Sequence, residues 1–106
     1  MPVAFKNYQS RAVGNTNVQV GSYVVPSSTN AMLLTLSVSN ITNTAITANV
    51  YHYNGSVTTS IVSQAPIPVG GSLEINKIAL NTTHAIYVVS NTASSMDAVM
   101  SVMEIT

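Results

Sequence analysis

Apolar and polar residues alternate with a period of two along much of this chain, the signature of half-buried β-strands. The clearest run is Ala31 to Asn40, where Met32, Leu34, Leu36 and Val38 alternate with Leu33, Thr35, Ser37 and Ser39. The most informative stretch is Ala45 to Val62, which reads as a β-hairpin closed by Asn54-Gly55. Both central residues of a type I′ turn need a positive φ, and Asn-Gly supplies it at least cost. A two-residue turn pairs Tyr53 with Ser56 and sets the register of the whole ribbon. One face then carries Ile46, Ala48, Val50 and His52 opposite Ser63, Ile61, Thr59 and Val57. The other carries Thr47, Asn49, Tyr51 and Tyr53 opposite Val62, Ser60, Thr58 and Ser56. The first face is largely apolar and the second polar with two tyrosines, as when one side of a ribbon covers a core.

The remaining segments continue the pattern. Residues 1–13 form either an edge strand or an extended arm, and Gly14 to Asn17 is a turn. Val18 to Val20 and Ser22 to Val25 read as strand pieces separated by a bulge at Gly21, followed by a loop from Pro26 to Asn30. In Ala65-Pro66-Ile67-Pro68 the prolines exclude a central strand and suit an edge or a loop. Ser72 to Asn76 is a short strand that Ile78 to Leu80 continues past a kink, and Thr83 to Ser90 is rich in β-branched and aromatic residues. Asp97 to Ile105 is apolar on both faces, with Val99, Met103 and Ile105 on one and Ala98, Met100 and Val102 on the other. Such a strand is either central in a sandwich or covered by a partner subunit. A helix over Ser95 to Glu104 is the rival reading; β-branched content and short length favour the strand. Seven or eight short strands with turns about every 8–12 residues predict an all-β fold, a single antiparallel β-sandwich spanning 1–106, immunoglobulin-like or jelly-roll.

Composition adds one unusual feature. Only 6% of the 106 residues are charged, against about 25% in ordinary soluble domains. Ser, Thr and Asn take their place, so the surface offers little charge repulsion against close neighbours, as suits a chain packed among other subunits, a homo-oligomer included. The net charge is zero, which leaves nucleic-acid binding without electrostatic support. The chain has no cysteine, hence no disulfide framework or thiolate chemistry. No apolar run approaches the roughly 20 residues of a membrane-spanning helix, and no signal-peptide pattern opens the sequence. Synthesis and folding in a cytoplasm, without a membrane partner, is the resulting expectation. The sequons at Asn40, Asn54 and Asn81 are read as accidents of an Asn/Ser/Thr-rich chain.

The search for chemistry returns little. His52 and His84 are the only histidines, and neither has a carboxylate near it in sequence. No zinc-ligand spacing and no Gly-x-Ser-x-Gly elbow occur, and Gly70-Gly71 lacks the frame of a phosphate loop. Glu74 and Glu104 lie on strand patterns, where a solvent face or an ion pair with Lys77 or Arg11 is the plain reading. The sequence therefore predicts no enzyme, no catalytic or metal-binding residue and no cofactor. Tyr51 and Tyr53 suit either a subunit contact or sugar stacking.

Three segments carry a resemblance: Phe5-Lys6-Asn7-Tyr8-Gln9-Ser10-Arg11-Ala12-Val13-Gly14, Ala65-Pro66-Ile67-Pro68-Val69-Gly70-Gly71-Ser72-Leu73, and Ala93 to Ile105. Together they resemble small tailed-bacteriophage virion structural proteins, β-sandwich subunits of the capsid exterior, neck or tail. The resemblance implies a virion location and partners in the major capsid protein or other virion subunits, most specifically as a capsid decoration or cement protein. Lys6, Tyr8, Arg11, Tyr51, Tyr53, Val99, Met103 and Ile105 are the candidate subunit contacts, and a lectin-like module is the alternative class.

Overall fold

The computed structural model describes residues 2–106. Eight strands run β1 Val3–Val13, β2 Val18–Gln19, β3 Asn30–Asn40, β4 Ile46–Tyr53, β5 Thr58–Ile67, β6 Ser72–Leu80, β7 Ala85–Ser90 and β8 Met96–Ile105, with a 3₁₀ turn at Val20–Ser22. They form two four-stranded antiparallel sheets, ordered β1-β8-β3-β6 and β2-β7-β4-β5. The pairing has a simple rule: β1 with β8, β2 with β7, β3 with β6, and β4 with β5. The chain is thus one long hairpin doubled on itself and rolled up, closed at its far end by the β4–β5 turn, and pairs β3–β8 and β4–β7 complete the sheets. This is jelly-roll topology, so the pairing decides between the two sandwich types left open by the sequence.

Between the sheets lies a continuous core that includes Leu33, Leu36, Ile46, Ile67, Leu80, Ile86, Met96 and Met100, all essentially inaccessible to solvent. Burying such a side chain contributes about 1.5–3 kcal/mol relative to leaving it in water. β8 lies between β1 and β3, central in its sheet, with one of its two apolar faces on the core and the other turned outward. Ala98, Met100 and Val102 point into the core, while Val99, Met103 and Ile105 point outward. Both edges of β8 are hydrogen-bonded within the chain, so it has no free edge for a neighbour.

Local chemistry shifts the register in several places. The β4–β5 turn has four residues, Asn54 to Val57, and Tyr53 pairs with Thr58 where the two-residue turn would pair it with Ser56. The Asn54 side chain is the cause: its Oδ1 accepts the N–H groups of Ser56 at 3.0 Å and Val57 at 2.7 Å, and the Asn54 N–H donates to the Val57 carbonyl. Such an Asx turn widens the loop, and Gly55 takes a φ of 92° within it. Two bulges then follow in β5, so the inward positions become Thr59, Val62, Ala65 and Ile67. Pro66 sits in this edge strand, where its missing donor costs nothing.

In β3 the alternation breaks at Leu34, an extra residue relative to β8. Ala31 and Leu33 are buried before it and Leu36 and Val38 after it, so Met32 faces outward although the plain alternation groups it with the core. On β6 the expected kink falls at Lys77, whose φ is +61°, and the strand runs unbroken from Ser72 to Leu80. The segment after Gly21 is not a strand. Gly21 (φ +60°) forms the 3₁₀ turn because the chain passes so close to β1 that a Cβ there would lie 2.5 Å from the Tyr8 Cβ.

Candidate interaction surfaces

The loops alternate between the two ends of the rolled hairpin. The end containing residues 14–17, 41–45, 68–71 and 91–95 is tied by uncharged side chains. Buried Asn40 donates through Nδ2 to the carbonyls of Thr44 (2.8 Å) and Ile67 (3.1 Å), and its Oδ1 accepts the Thr42 N–H at 2.8 Å. Ser90 and Ser95 share a buried hydroxyl hydrogen bond of 2.6 Å. Asp97, the sole aspartate, accepts the Ala12 N–H at 2.9 Å where β1 bulges at φ +54°, so it has a structural task.

The opposite end, around the Asn54–Val57 turn, adds pairs of ionisable groups to its Asn and Thr hydrogen bonds. Glu104 is neither on a solvent face nor positioned as an ion-pair partner of a surface cation: it is buried, and the Tyr23 hydroxyl donates to its Oε2 at 2.7 Å. Tyr8 stacks on Tyr23 with ring centroids 4.3 Å apart. Burial, the hydrogen bond to Glu104 and its charge push the Tyr23 phenol far above its ordinary pKa, and burial followed by Glu104 raises Tyr8. The fold also joins the two histidines, with His52 Nε2 and His84 Nδ1 2.9 Å apart. Burial, then the neighbouring His84, lowers the His52 pKa. A neutral pair shares one N–H, whereas two charged rings have only donors to offer each other. Among the described residues, no group of three or more His, Cys, Asp or Glu side chains is gathered for a metal ion.

Two patches face outward. On the β2-β7-β4-β5 sheet, Tyr51 and Tyr53 lie on the outer side as the pattern predicts, and the register adds Tyr87 from β7. Tyr53 meets Tyr87 edge to face at 5.9 Å, and the Tyr87 hydroxyl is held by Gln19 at 3.0 Å. On the other sheet, cross-strand register places Phe5, Met103, Met32 and Ala79 in one row, with Val3 and Ile105 beside it. Phe5 is 73% exposed and Val3 52%. Val99 is exposed on the same face but is separated from this patch by the polar pair Asn7–Ser101. Lys6 and Arg11 are exposed on β1, whereas Tyr8 is half-buried against Tyr23. The candidate contacts therefore do not form one surface. Val3, Phe5, Met32 and Tyr87 are the additions, and only strand register could reveal them, because their neighbours are remote in sequence.

No family model and no curated protein matches the chain. Solved structures do. A chain of the infectious bursal disease virus Gx strain structure is 10% identical, covers 95% of this chain and 32% of its own length, and superposes with a TM-score of 0.60. A chain of the T13 viral particle of the same virus is 6% identical over 96% of this chain and 30% of its own, with a TM-score of 0.53. A chain from the disulfide-linked pili formed by Bacillus endospore appendages is 15% identical over 99% of this chain and 85% of its own, with a TM-score of 0.52. At these identities the likeness is one of fold. This chain spans about a third of the length of the viral chains that it matches.

Proposed function

We propose that this chain is a non-enzymatic structural subunit of a virus particle, made and assembled in the host cytoplasm. Within that class the reading is a decoration or cement subunit on the head of a tailed bacteriophage, bound to the major capsid protein; a neck, collar or tail position is the alternative. The observation that carries the reading is the fold-level likeness of nearly the whole chain to chains of a virus particle. Jelly rolls serve viral capsids and lectins alike, and fold alone does not assign function. The sparse charge and the exposed apolar row on the β1-β8-β3-β6 sheet support close packing among subunits. The pilus likeness is a weaker guide, because a chain without cysteine cannot be linked by disulfides.

Mass spectrometry of purified virions tests the proposal. Many copies per particle are the expected result, a few copies would favour the neck or tail, and absence from the particle would reject a virion role. A second reading rests on the Tyr51–Tyr53–Tyr87 cluster, which could stack a sugar. A glycan array with Tyr51→Ala and Tyr53→Ala controls separates the two, and the virion reading expects no tyrosine-dependent binding.

A further inference from the structure

Four strands lie at sheet edges, and three of them are poor templates for pairing. β2 has two residues. β5 carries two bulges, Pro66 and a left-handed Gln64. β6 is bent at left-handed Lys77, a charged residue. Bulges, prolines and edge lysines are the devices by which proteins discourage edge-to-edge pairing. β1 is different over its first half. Val3 to Asn7 is exposed and regular, and the β1 bulge comes only after Ser10.

The hydrogen-bonding phase of this open edge follows from one bond. The Thr106 N–H donates to the Pro2 carbonyl, and the pairing continues as Val3 with Ile105 and Ala4 with Glu104. Antiparallel ladders alternate bonded and non-bonded pairs. Pro2, Ala4 and Lys6 therefore bond inward to β8, and the main-chain N–H and C=O groups of Val3, Phe5 and Asn7 point away from the sheet. Beyond Asn7 the edge is obstructed: a Cβ at Gly21 would lie 3.2 Å from the Gln9 nitrogen, and the Gly21 N–H donates to Ser10 Oγ.

We propose that two copies of this chain dimerise by antiparallel pairing of these open edges about a two-fold axis at Phe5. Phe5 then pairs with Phe5, Val3 with Asn7 and Ala4 with Lys6. This register uses every outward-pointing group of the unobstructed segment. A shift of two residues in one direction sets Lys6 against Lys6, a repulsive pair. The opposite shift matches Val3 with Phe5 and leaves Asn7 with no described residue opposite it. Pairing at Phe5 also joins the two exposed apolar rows, so that Met32, Met103 and Phe5 of one copy run into Phe5, Met103 and Met32 of the other across a continuous eight-stranded sheet. A second copy fits because the segment is complementary to itself under two-fold symmetry and the chain has zero net charge. The ladder is short, which puts this interface at the small end of the size range, below about 1,200 Å². The inference does not depend on the virion reading.

Sedimentation over a concentration series extending to about millimolar protein, where weak association is still visible, tests it with two variants. Asn7→Pro removes an outward N–H and the exposed side-chain bond to Ser101 while leaving the main-chain bonds to β8 untouched, and it should raise the dimer dissociation constant roughly tenfold or more with circular dichroism unchanged. Phe5→Cys introduces the sole thiol of the chain at the two-fold axis. Bonded antiparallel pairs hold Cα atoms about 5.5 Å apart, within disulfide range, so mild oxidation should trap a covalent dimer, whereas Gln9→Cys should not. A wild-type chain that stays monomeric throughout, or a dimer unaffected by Asn7→Pro, overturns the proposal. If Asn7→Pro misfolds, Phe5→Cys decides: no disulfide-linked dimer beyond the Gln9→Cys level overturns it.

Discussion

The two ends of the rolled hairpin solve the same problem with different chemistry. Each must satisfy main-chain groups that leave the ladders at turns. The end around Asn40 does so with Asn and Ser side chains and a single carboxylate at the β1 bulge. The end around the Asn54–Val57 turn does so with Asn54 and Thr82, and adds two side-chain pairs of ionisable groups, Tyr23 with Glu104 and His52 with His84. Amide and alcohol groups do not titrate in the working range, whereas the His52 imidazole takes up a proton on acidification and the two phenols release theirs only at high pH. The contrast teaches that one end is a fixed clamp and the other is sensitive to pH, and that the sensitive end also displays the apolar row of Phe5, Met103 and Met32.

The largest expected effect comes from cutting the clamp. Asn40→Ala leaves the Ile67 and Thr44 carbonyls and the Thr42 N–H without their partner, and should lower unfolding free energy by about 3 kcal/mol, read from urea midpoints. At the other end, Tyr23→Phe strands the buried Glu104 carboxyl and should cost about 2 kcal/mol. A loss at Tyr23 equal to or above that at Asn40 would erase the asymmetry between the ends. Asp97→Ala frees only the Ala12 N–H at an exposed edge and should cost about 1 kcal/mol, with hydrogen exchange quickening at Ala12 before the core.

The smallest effects are those of pH, and their signs separate the ends. His52 has its pKa lowered in the fold, so the unfolded chain takes up the proton first as pH falls through the ordinary value of 6.5. Stability present above that value is therefore lost on acidification until the folded pKa is passed. Melting temperatures should decline below about pH 7, and His52→Asn should remove part of that decline. Tyr23 and Tyr8 have raised values, so above about pH 10 the unfolded chain releases protons first and stability falls again. Hydrogen exchange at both extremes should rise near residues 52, 84 and 23 while the Asn40 end stays protected. Uniform loss of protection would refute the comparison.

Much of this architecture was legible in the sequence. The β3 and β4 alternation, the doubly apolar Met96–Ile105 strand, the edge placement enforced by Pro66 and the kink before Ile78 all follow from side-chain chemistry acting within a few residues. The all-β sandwich needed nothing more. Its candidate surfaces were half legible: Tyr51 and Tyr53 face outward as the period of two requires, but Tyr87 joins them only through the β4–β7 register. Bulges were the obstacle. One extra residue at Leu34 reverses the faces of Met32 and Leu33, and the Asn54 side chain moves the β4–β5 register by accepting the next two free N–H groups.

What the sequence by itself determined is therefore local: which segments are strands, where they turn, and which stretches bury a face. Only the tertiary structure decided what is non-local. The nested pairing of first strand with last, the meeting of His52 with His84 and of Tyr23 with Glu104, and the row from Phe5 to Met32 join residues far apart in sequence. The physical reason is that a strand's own pattern specifies a face but no partner, and partners are selected only when both sheets close over one core.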